Sequence, residues 1–197
     1  MNYEPESNWL NDNFFNQATN GTYVDLGAGH PIRCSLTSFV RDKGWNGVAV
    51  DGNPDYEKDW RDAGFLHHFR CAVLSQNAKA RFVIHENSFT SRISDTPDTD
   101  NTSEFGINRI VEVDTVPVNA ILESAGIGKV NLLTVDLEGN EFEVMRTLDF
   151  KKHDPDLIVS EYVTQGDGTD PRAANLLISM GYEIVHVTEA NMIYRKK

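Results

Sequence analysis

Short apolar segments recur along this sequence, separated by stretches long enough to form helices. Most of these segments are followed at once by Gly, Asp or Glu. Strands covered on both faces of a parallel sheet have this unbroken apolar character. The pattern therefore predicts an α/β fold with a mostly parallel sheet. The predicted strands are Thr22–Leu26, Gly47–Val50, Phe69–Leu74, Val130–Val135 and Asp156–Ser160.

The stretches between these strands carry the start and stop signals of helices. Leu36–Lys43 is followed by Gly44, and Val116–Ala125 has Pro117 in its first turn. Proline near the start and glycine after the end are typical of helices. A third helix is predicted at Glu141–Thr147.

Residues 1–20 precede the first strand, and we expect them to form a helical extension of a single domain that covers residues 1–197. Asn8–Gln17 places Trp9, Leu10, Phe14 and Phe15 at intervals that suit one apolar helix face. Such a helix can pack on the core or form a wall of a substrate site, and the sequence favours the core.

Two β-branched segments, Arg81–His85 and Arg109–Val113, interrupt the strand-helix alternation and predict an added pair of strands. Residues 94–103 between them are polar and predict either a surface loop or a flexible lid. Near the end of the sequence, Gly181–Val187 and Met192–Arg195 predict an antiparallel hairpin. With this hairpin, the main sheet is expected to contain seven strands.

Composition argues against nucleic-acid and membrane partners. The chain has 18 Lys and Arg residues against 30 Asp and Glu residues, a formal net charge of −12. Such a surface repels phosphate groups and anionic lipids. No apolar run of about 18 residues occurs, and Cys34 and Cys71 are expected to be reduced thiols rather than a disulfide. We therefore expect a soluble cytoplasmic protein.

The first strand leads into a glycine loop, Asp25-Leu26-Gly27-Ala28-Gly29. Glycines at 27 and 29 let the backbone turn sharply and approach a ligand closely. In a sheet of this kind, ligands bind at the carboxyl ends of the strands. A carboxylate at Asp25 can accept backbone N–H groups and attract the cationic amino-acid end of S-adenosylmethionine. We therefore predict that Asp25, Gly27, Ala28 and Gly29 bind this cofactor.

The second strand ends in Asp51, which lies 22 residues after Gly29. An acidic residue at about this spacing binds the ribose of a nucleotide in Rossmann-like folds. We predict that Asp51 and Asn53 contact the ribose, and that Cys71, Ala72 and Val73 lie beside the adenine. A dinucleotide enzyme would need a small residue where this chain has Ile32, which argues against NAD.

The glycine loop and a second motif together carry a family resemblance. Val24-Asp25-Leu26-Gly27-Ala28-Gly29 and Val135-Asp136-Leu137-Glu138-Gly139-Asn140-Glu141 resemble the FkbM family of S-adenosylmethionine-dependent methyltransferases. The likeness extends from about Tyr23 to Tyr162. It implies a class I, Rossmann-like methyltransferase fold and methyl transfer from S-adenosylmethionine. The family often has Lys where this chain has Thr134.

Acidic residues crowd the ends of the fourth and fifth strands. Asp136 and Glu138 follow the fourth strand, and Glu161 ends the fifth. Parallel strands lie about 4.8 Å apart, so these carboxylates can face one cleft. They predict either a Mg²⁺ site at Asp136, Glu138 and Glu161 or a metal-free site in which one of them is a general base. Glu141 is expected to charge the first turn of its helix.

Histidine is the other candidate base, because its pKa suits proton transfer near neutral pH. Six histidines occur, and His30 lies in the cofactor loop. We therefore include His30 among the candidate catalytic residues.

These features predict O-methylation of a hydroxyl group on a small molecule or carbohydrate. The family resemblance alone carries the class of acceptor. Two alternatives remain open at this stage. One is a nucleotide-dependent oxidoreductase on the same sheet, and the other is a cofactor-binding domain without catalysis.

Overall fold

The computed structural model describes residues 4–64, 68–70, 72–74, 76–94, 106–164 and 168–197. Within these ranges, the strands of the mixed α/β structure form three sheets. They are β1 (Thr22–Leu26), β2 (Asn46–Asp51), β3 (His68–Arg70), β4 (Ala72–Leu74), β5 (Ala78–His85), β6 (Arg92–Ile93), β7 (Ile107–Pro117), β8 (Leu132–Val135), β9 (Leu157–Glu161), β10 (Val163–Thr164), β11 (Gly168–Thr169), β12 (Tyr182–Val187) and β13 (Asn191–Lys196).

The helices are short, and most lie between strands of the main sheet. A π-helix at Asn11–Phe15 continues the first α-helix. The α-helices are α1 (Glu4–Leu10), α2 (Ser38–Asp42), α3 (Glu57–Asp62), α4 (Val118–Ser124), α5 (Glu141–Met145), α6 (Phe150–His153) and α7 (Pro171–Ser179). None of the helices within the described ranges has both the length and the apolar composition needed to cross a bilayer.

The main sheet has the strand order β12-β13-β9-β8-β1-β2-β3. Strands β9, β8, β1, β2 and β3 pair in parallel, whereas β13 is antiparallel to both β9 and β12. The predicted mostly parallel sheet and its antiparallel hairpin are thus confirmed. The strand that follows β1 in the chain, β2, lies on one side of β1, and the later strand β8 lies on its other side. Such a reversal leaves a crevice at the carboxyl ends of the strands.

The prediction of a single third strand at Phe69–Leu74 was wrong. His68–Arg70 pairs with β2 in the main sheet, but Ala72–Leu74 pairs in parallel with β7 in a second sheet. The chain therefore changes sheets within this segment. Its apolar sequence suits both sheets, so composition does not reveal the break.

The predicted strand pair near residues 81–113 is present, within a larger second sheet of order β4-β7-β5-β6. The two strands, β5 and β7, pair antiparallel from Ala78 to His85. Strand β7 continues through Pro117, so the predicted helix at Val116–Ala125 begins only at Val118. Residues 95–103 of the predicted lid lie outside the described ranges.

Both faces of the main sheet are covered. Helices α4, α5 and α7 contribute Ile121, Met145 and Leu177 to the core on one face. On the opposite face, Leu10 and Phe15 of the N-terminal segment pack with residues that include Trp45 and Leu132. The N-terminal helix is therefore part of the core, as the sequence favoured.

This packing predicts that Leu10 contributes to global stability. Leu10 is fully buried, so Leu10→Ala should lower the free energy of unfolding by about 2–5 kcal/mol because it leaves a cavity. Ile178→Ala is the control, since Ile178 is 50% exposed, and it should change stability by about 0.5 kcal/mol or less. Urea unfolding measures both, and equal effects would contradict the assigned packing.

Candidate active site

A pocket of about 740 Å³ opens at the carboxyl ends of β1, β2 and β8, where the direction of the chain through the sheet reverses. This is the position at which Rossmann-like sheets bind their ligands. Of the predicted cofactor residues, Gly27, Ala28, Gly29, Asp51 and Val73 line it.

The glycine loop forms the floor of the pocket. The N–H groups of Gly27 and Ala28 both donate to the Val50 carbonyl, at 2.9 and 3.0 Å, which ties the loop to β2. Gly27 has a φ of +82°, and a Cβ placed on it would lie 1.7 Å from the Asp136 carbonyl oxygen. Only glycine fits between β1 and the end of β8. Gly29 also has a positive φ but has open space around it.

Asp51 lies at the end of β2 and holds the next part of the loop. Its Oδ2 accepts the Gly29 N–H at 2.8 Å, and its Oδ1 accepts the Asn53 N–H at 2.7 Å. Burial raises the pKa of Asp51 to about 6, even though these two bonds favour the ionised form. Each carboxylate oxygen retains a second lone pair, so Asp51 can still accept hydrogen bonds from ribose hydroxyl groups, as predicted from the sequence.

Asn53 is buried, does not line the pocket and shapes the turn after β2. Its Oδ1 accepts the Asp55 N–H at 3.0 Å and caps the short 3₁₀ helix Pro54–Tyr56. Asn53 Nδ2 is buried without a hydrogen-bond partner among the described residues. These hydrogen bonds are all within the protein, so the contact between Asn53 and a ribose stays a prediction.

Asp25 has surroundings that differ from our expectation. Its carboxylate accepts the hydroxyl groups of Thr37 and Thr134, at 2.5 and 2.6 Å, rather than backbone N–H groups. The buried guanidinium of Arg41 lies 3.8 Å away. The carboxylate is 94% enclosed and is not among the residues that line the pocket. The structure therefore places Asp25 in a buried polar network between β1, β8 and α2.

The far wall of the pocket comes from the second sheet and the turn that follows β5. Phe82 packs so close to Gly52 that a Cβ at position 52 would lie 2.6 Å from its ring. The Tyr56 hydroxyl donates to Ser88 Oγ at 2.8 Å. This bond joins the 3₁₀ helix that precedes α3 to the wall. The wall consists of Val73, Phe82, Ser88, Phe89, Ser91, Arg92 and Ile93. Of the predicted adenine contacts, Ala72 lies on β4 beside Val73, and Cys71 lies outside the described residues.

Most of this wall, as well as Tyr56, was not predicted from the sequence. These residues lie in a 3₁₀ turn and in a sheet whose position depends on pairing between β4 and β7. The aromatic residues Tyr56 and Phe82 were visible as apolar positions, but no local pattern assigned them to a site. Cys34, expected to be a reduced thiol, forms no disulfide and lines the pocket in a half-buried position.

The three predicted catalytic carboxylates lie together at the carboxyl ends of β8 and β9. Oxygen atoms of Asp136, Glu138 and Glu161 lie within 4.8 Å of one another. Burial and the neighbouring carboxylates of Asp136 and Glu138 raise the pKa of Glu161 far above its ordinary range. Glu161 Oε2 is buried without a hydrogen-bond partner within the described part of the chain. The cluster therefore suits a ligand that brings positive charge or hydrogen-bond donors.

Glu141 shapes the backbone that carries this cluster. Its buried carboxylate accepts the Leu137 N–H at 2.7 Å and the Gly139 N–H at 3.1 Å. Between these two donors, Glu138 has a left-handed backbone with φ +54°. Non-glycine residues rarely adopt this conformation, and such strain concentrates at functional sites. Glu141 also lies in the first turn of α5, as predicted.

His30 lines the pocket, but both of its ring nitrogens face protein groups. Nδ1 accepts the N–H groups of Ile32 and Arg33, both at 3.1 Å, and Nε2 lies 3.7 Å from an Asp59 carboxylate oxygen. Burial and the charge of Arg33 lower the pKa of His30. The ring therefore holds the loop in its observed shape as a neutral imidazole. A catalytic role for His30 stays a prediction that these contacts do not favour.

Taken together, the sheet order, the glycine loop and the pocket define a Rossmann-like α/β protein with an acidic cluster at the end of β8. The sequence matches the Methyltransferase FkbM domain over residues 25–184. The chain therefore belongs to the FkbM methyltransferase family. No curated protein and no solved structure matched it.

The two loop glycines provide a matched test of this geometry. Gly27→Ala should lower the free energy of unfolding by about 3 kcal/mol or more, because its Cβ would overlap the Asp136 carbonyl. Gly29→Ala should cost only the backbone strain of about 1–2 kcal/mol. Urea unfolding of both variants measures the difference, and equal losses would show that β1 and β8 do not meet as described.

Proposed function

We propose that this protein is an S-adenosylmethionine-dependent methyltransferase that methylates a hydroxyl group on a small molecule or carbohydrate. The observation that carries this proposal is a single pocket with Asp51 at one end and Asp136 and Glu138 at the other. The glycine loop lies between them. A nucleoside bound at Asp51 would thus direct its reactive end towards the acidic cluster.

A nicotinamide-dependent oxidoreductase is the alternative on the same sheet. Ile32 is 72% exposed and occupies the place where a dinucleotide fingerprint needs a small residue. Isothermal titration with S-adenosylhomocysteine and NAD separates the two functions. We expect binding of S-adenosylhomocysteine; tight NAD binding without it would overturn the proposal, and binding of neither would remove the cofactor assignment.

Methyl transfer needs little covalent help from the protein, because the sulfonium group already activates the methyl group. The chain's own residues must orient the acceptor and remove the proton of its hydroxyl group. Glu161 is our candidate for the base, with Glu138 beside it. Burial and the neighbouring carboxylates keep the pKa of Glu161 far above the ordinary range. Positive charge from the cofactor beside Glu161 would lower that pKa and favour the ionised carboxylate, which can accept a proton.

Mg²⁺ is a second candidate for this end of the site. The three carboxylates provide the oxygen ligands that Mg²⁺ prefers, and their oxygen atoms lie within 4.8 Å of one another. Asp136, Glu138 and Glu161 would hold the ion, which would lower the pKa of a bound hydroxyl group. Glu161 Oε2, which has no partner among the described residues, fits either role.

The pKa of Asp51 gives a pH prediction. The ionised carboxylate accepts the ribose hydroxyl groups, and it is lost as pH falls through about 6. Affinity for S-adenosylhomocysteine should be constant above this pH and fall by up to about tenfold per pH unit below it. Calorimetry from pH 8 down to about pH 5 measures the effect. The Asp51→Asn variant should bind more weakly with no such dependence, and the same pH dependence in this variant would contradict the assignment.

A screen of hydroxylated acceptors, run with Mg²⁺ and with EDTA, tests the acidic end. With an acceptor found in that screen, Glu161→Gln should lower turnover by about 10²–10⁴-fold while affinity for S-adenosylhomocysteine is retained. Glu143→Gln is the control, since Glu143 is paired with Arg146 outside the pocket. Unchanged turnover in Glu161→Gln would exclude Glu161 as the base. Loss of turnover in EDTA and recovery with Mg²⁺ would show that the reaction requires the metal ion.

A further inference from the structure

The connection between β1 and α2, here called the β1–α2 loop, has no helix at its glycines to hold it. In the Rossmann fingerprint a helix opens directly within the glycine sequence. Here β1 ends at Leu26, and α2 begins only at Ser38. Gly29, His30 and Cys34 of this loop line the pocket. Other contacts must therefore hold the loop in the shape that a ligand meets.

Arg41 on α2 provides two of these contacts. Its side chain is 1% exposed, and its guanidinium donates to the Pro31 carbonyl and, at 2.9 Å, to Ser35 Oγ. The first bond holds the residue that follows His30, and the second holds the residue that follows Cys34. One buried side chain thus fixes the loop beside two of the residues that line the pocket.

The second of these anchors lies next to a strained part of the backbone. Cys34 has a left-handed backbone with φ +57°, which non-glycine residues rarely adopt. Such a conformation persists only where the surrounding structure holds it. Ser35 is held by Arg41 at its hydroxyl group and by the Ser7 hydroxyl, which donates to its carbonyl at 3.3 Å. We therefore expect the loop to relax at Cys34 when the bond from Arg41 is removed.

Trp60 extends the same network to Gly29. Its Nε1 donates to the Gly29 carbonyl at 2.7 Å. The Arg41 guanidinium lies 4.9 Å from the centre of the Trp60 ring, and the ring is fully buried. A cation–π contact is strongest away from water. Arg41 therefore also supports the side chain that holds the loop at its third point.

Asp25 balances the charge of the buried guanidinium. A buried cation without a partner is costly, and Asp25 Oδ2 lies 3.8 Å from Arg41 Nη1. Thr37 bridges the two, because its hydroxyl donates to Asp25 at 2.5 Å and accepts from Arg41. Burial lowers the pKa of Arg41, and the charge of Asp25 opposes this effect. Asp25 thus keeps Arg41 charged and in place.

We propose that Arg41 is a positioning residue for cofactor binding, which holds the β1–α2 loop in the shape that the cofactor meets, with Asp25 as its charge partner. This inference rests on the proposed function, which supplies the ligand. Asp25, which the sequence assigned to the cofactor, then acts on the loop through Arg41. Without Arg41 the loop has its binding shape for only a fraction of the time, and the apparent affinity falls by that fraction.

Arg41→Met tests this role, because it removes the charge and the hydrogen bonds but keeps an unbranched side chain. In the ligand-free variant, amide hydrogen exchange of residues 29–37 should be faster by about tenfold or more, with β9 unchanged. If the loop keeps its binding shape about a tenth of the time, affinity for S-adenosylhomocysteine falls about tenfold. Saturating ligand should then restore the protection of the loop. Mass spectrometry and calorimetry measure these effects.

Two milder variants and a matched control accompany this test. Arg41→Lys keeps a charge near Asp25 but lacks the planar set of donors, and Ser35→Ala removes one anchor and leaves the buried ion pair. Both should show faster exchange of the loop and weaker binding, to a smaller extent than Arg41→Met. Arg146→Met makes the same substitution at a side chain that is 47% exposed outside the pocket, and should change neither quantity.

Three outcomes would overturn the inference. The first is unchanged exchange of the loop in Ser35→Ala and in both Arg41 variants. The second is exchange that accelerates equally in the loop and in β9, because Arg41 would then stabilise the whole fold. The third is faster exchange of the loop with unchanged affinity. Wild-type protein that does not bind S-adenosylhomocysteine would instead overturn the proposed function, and exchange of the free protein would still decide whether Arg41 holds the loop.

Discussion

The contact between Gly27 and the Asp136 carbonyl holds the site together. It brings the end of β1 against the end of β8, with no room for a side chain at position 27. Hydrogen bonds from Gly27 and Ala28 to Val50 fix the same loop to β2. Three neighbouring strand ends are thereby joined at one point. The pocket, the Asp51 carboxylate and the acidic cluster are arranged around that point.

The protein separates two kinds of carboxylate at this edge of the sheet. Asp25 is buried with Thr37, Thr134 and the Arg41 guanidinium, so its charge stabilises the packing of α2 against β1 and β8. Asp136 and Glu138 instead line the pocket. The carboxylates at this edge therefore differ in position: Asp25 is enclosed between β1, β8 and α2, whereas Asp136 and Glu138 border the pocket.

Sequence patterns predicted what local signals encode. The apolar sequence of β8 correctly predicted a strand in a parallel sheet. Asp136 and Glu138 follow this strand and therefore lie at its carboxyl end, as predicted. The break between β3 and β4 was not predicted, because it depends on pairing between Ala72 and the distant Thr115. The surroundings of Asp25 escaped prediction for a similar reason. Its neighbour Arg41 comes from the next helix, and no spacing rule shows that its guanidinium turns inward.

We propose that one cofactor spans the glycine loop from β2 to β8. A crystal structure of the complex with S-adenosylhomocysteine tests it most directly. We expect the ribose hydroxyl oxygens about 2.5–3.0 Å from the Asp51 carboxylate, with the amino-acid end at the end of β8. A ligand with its ribose away from Asp51, or with its amino-acid end directed to the wall around Phe82, would contradict this placement.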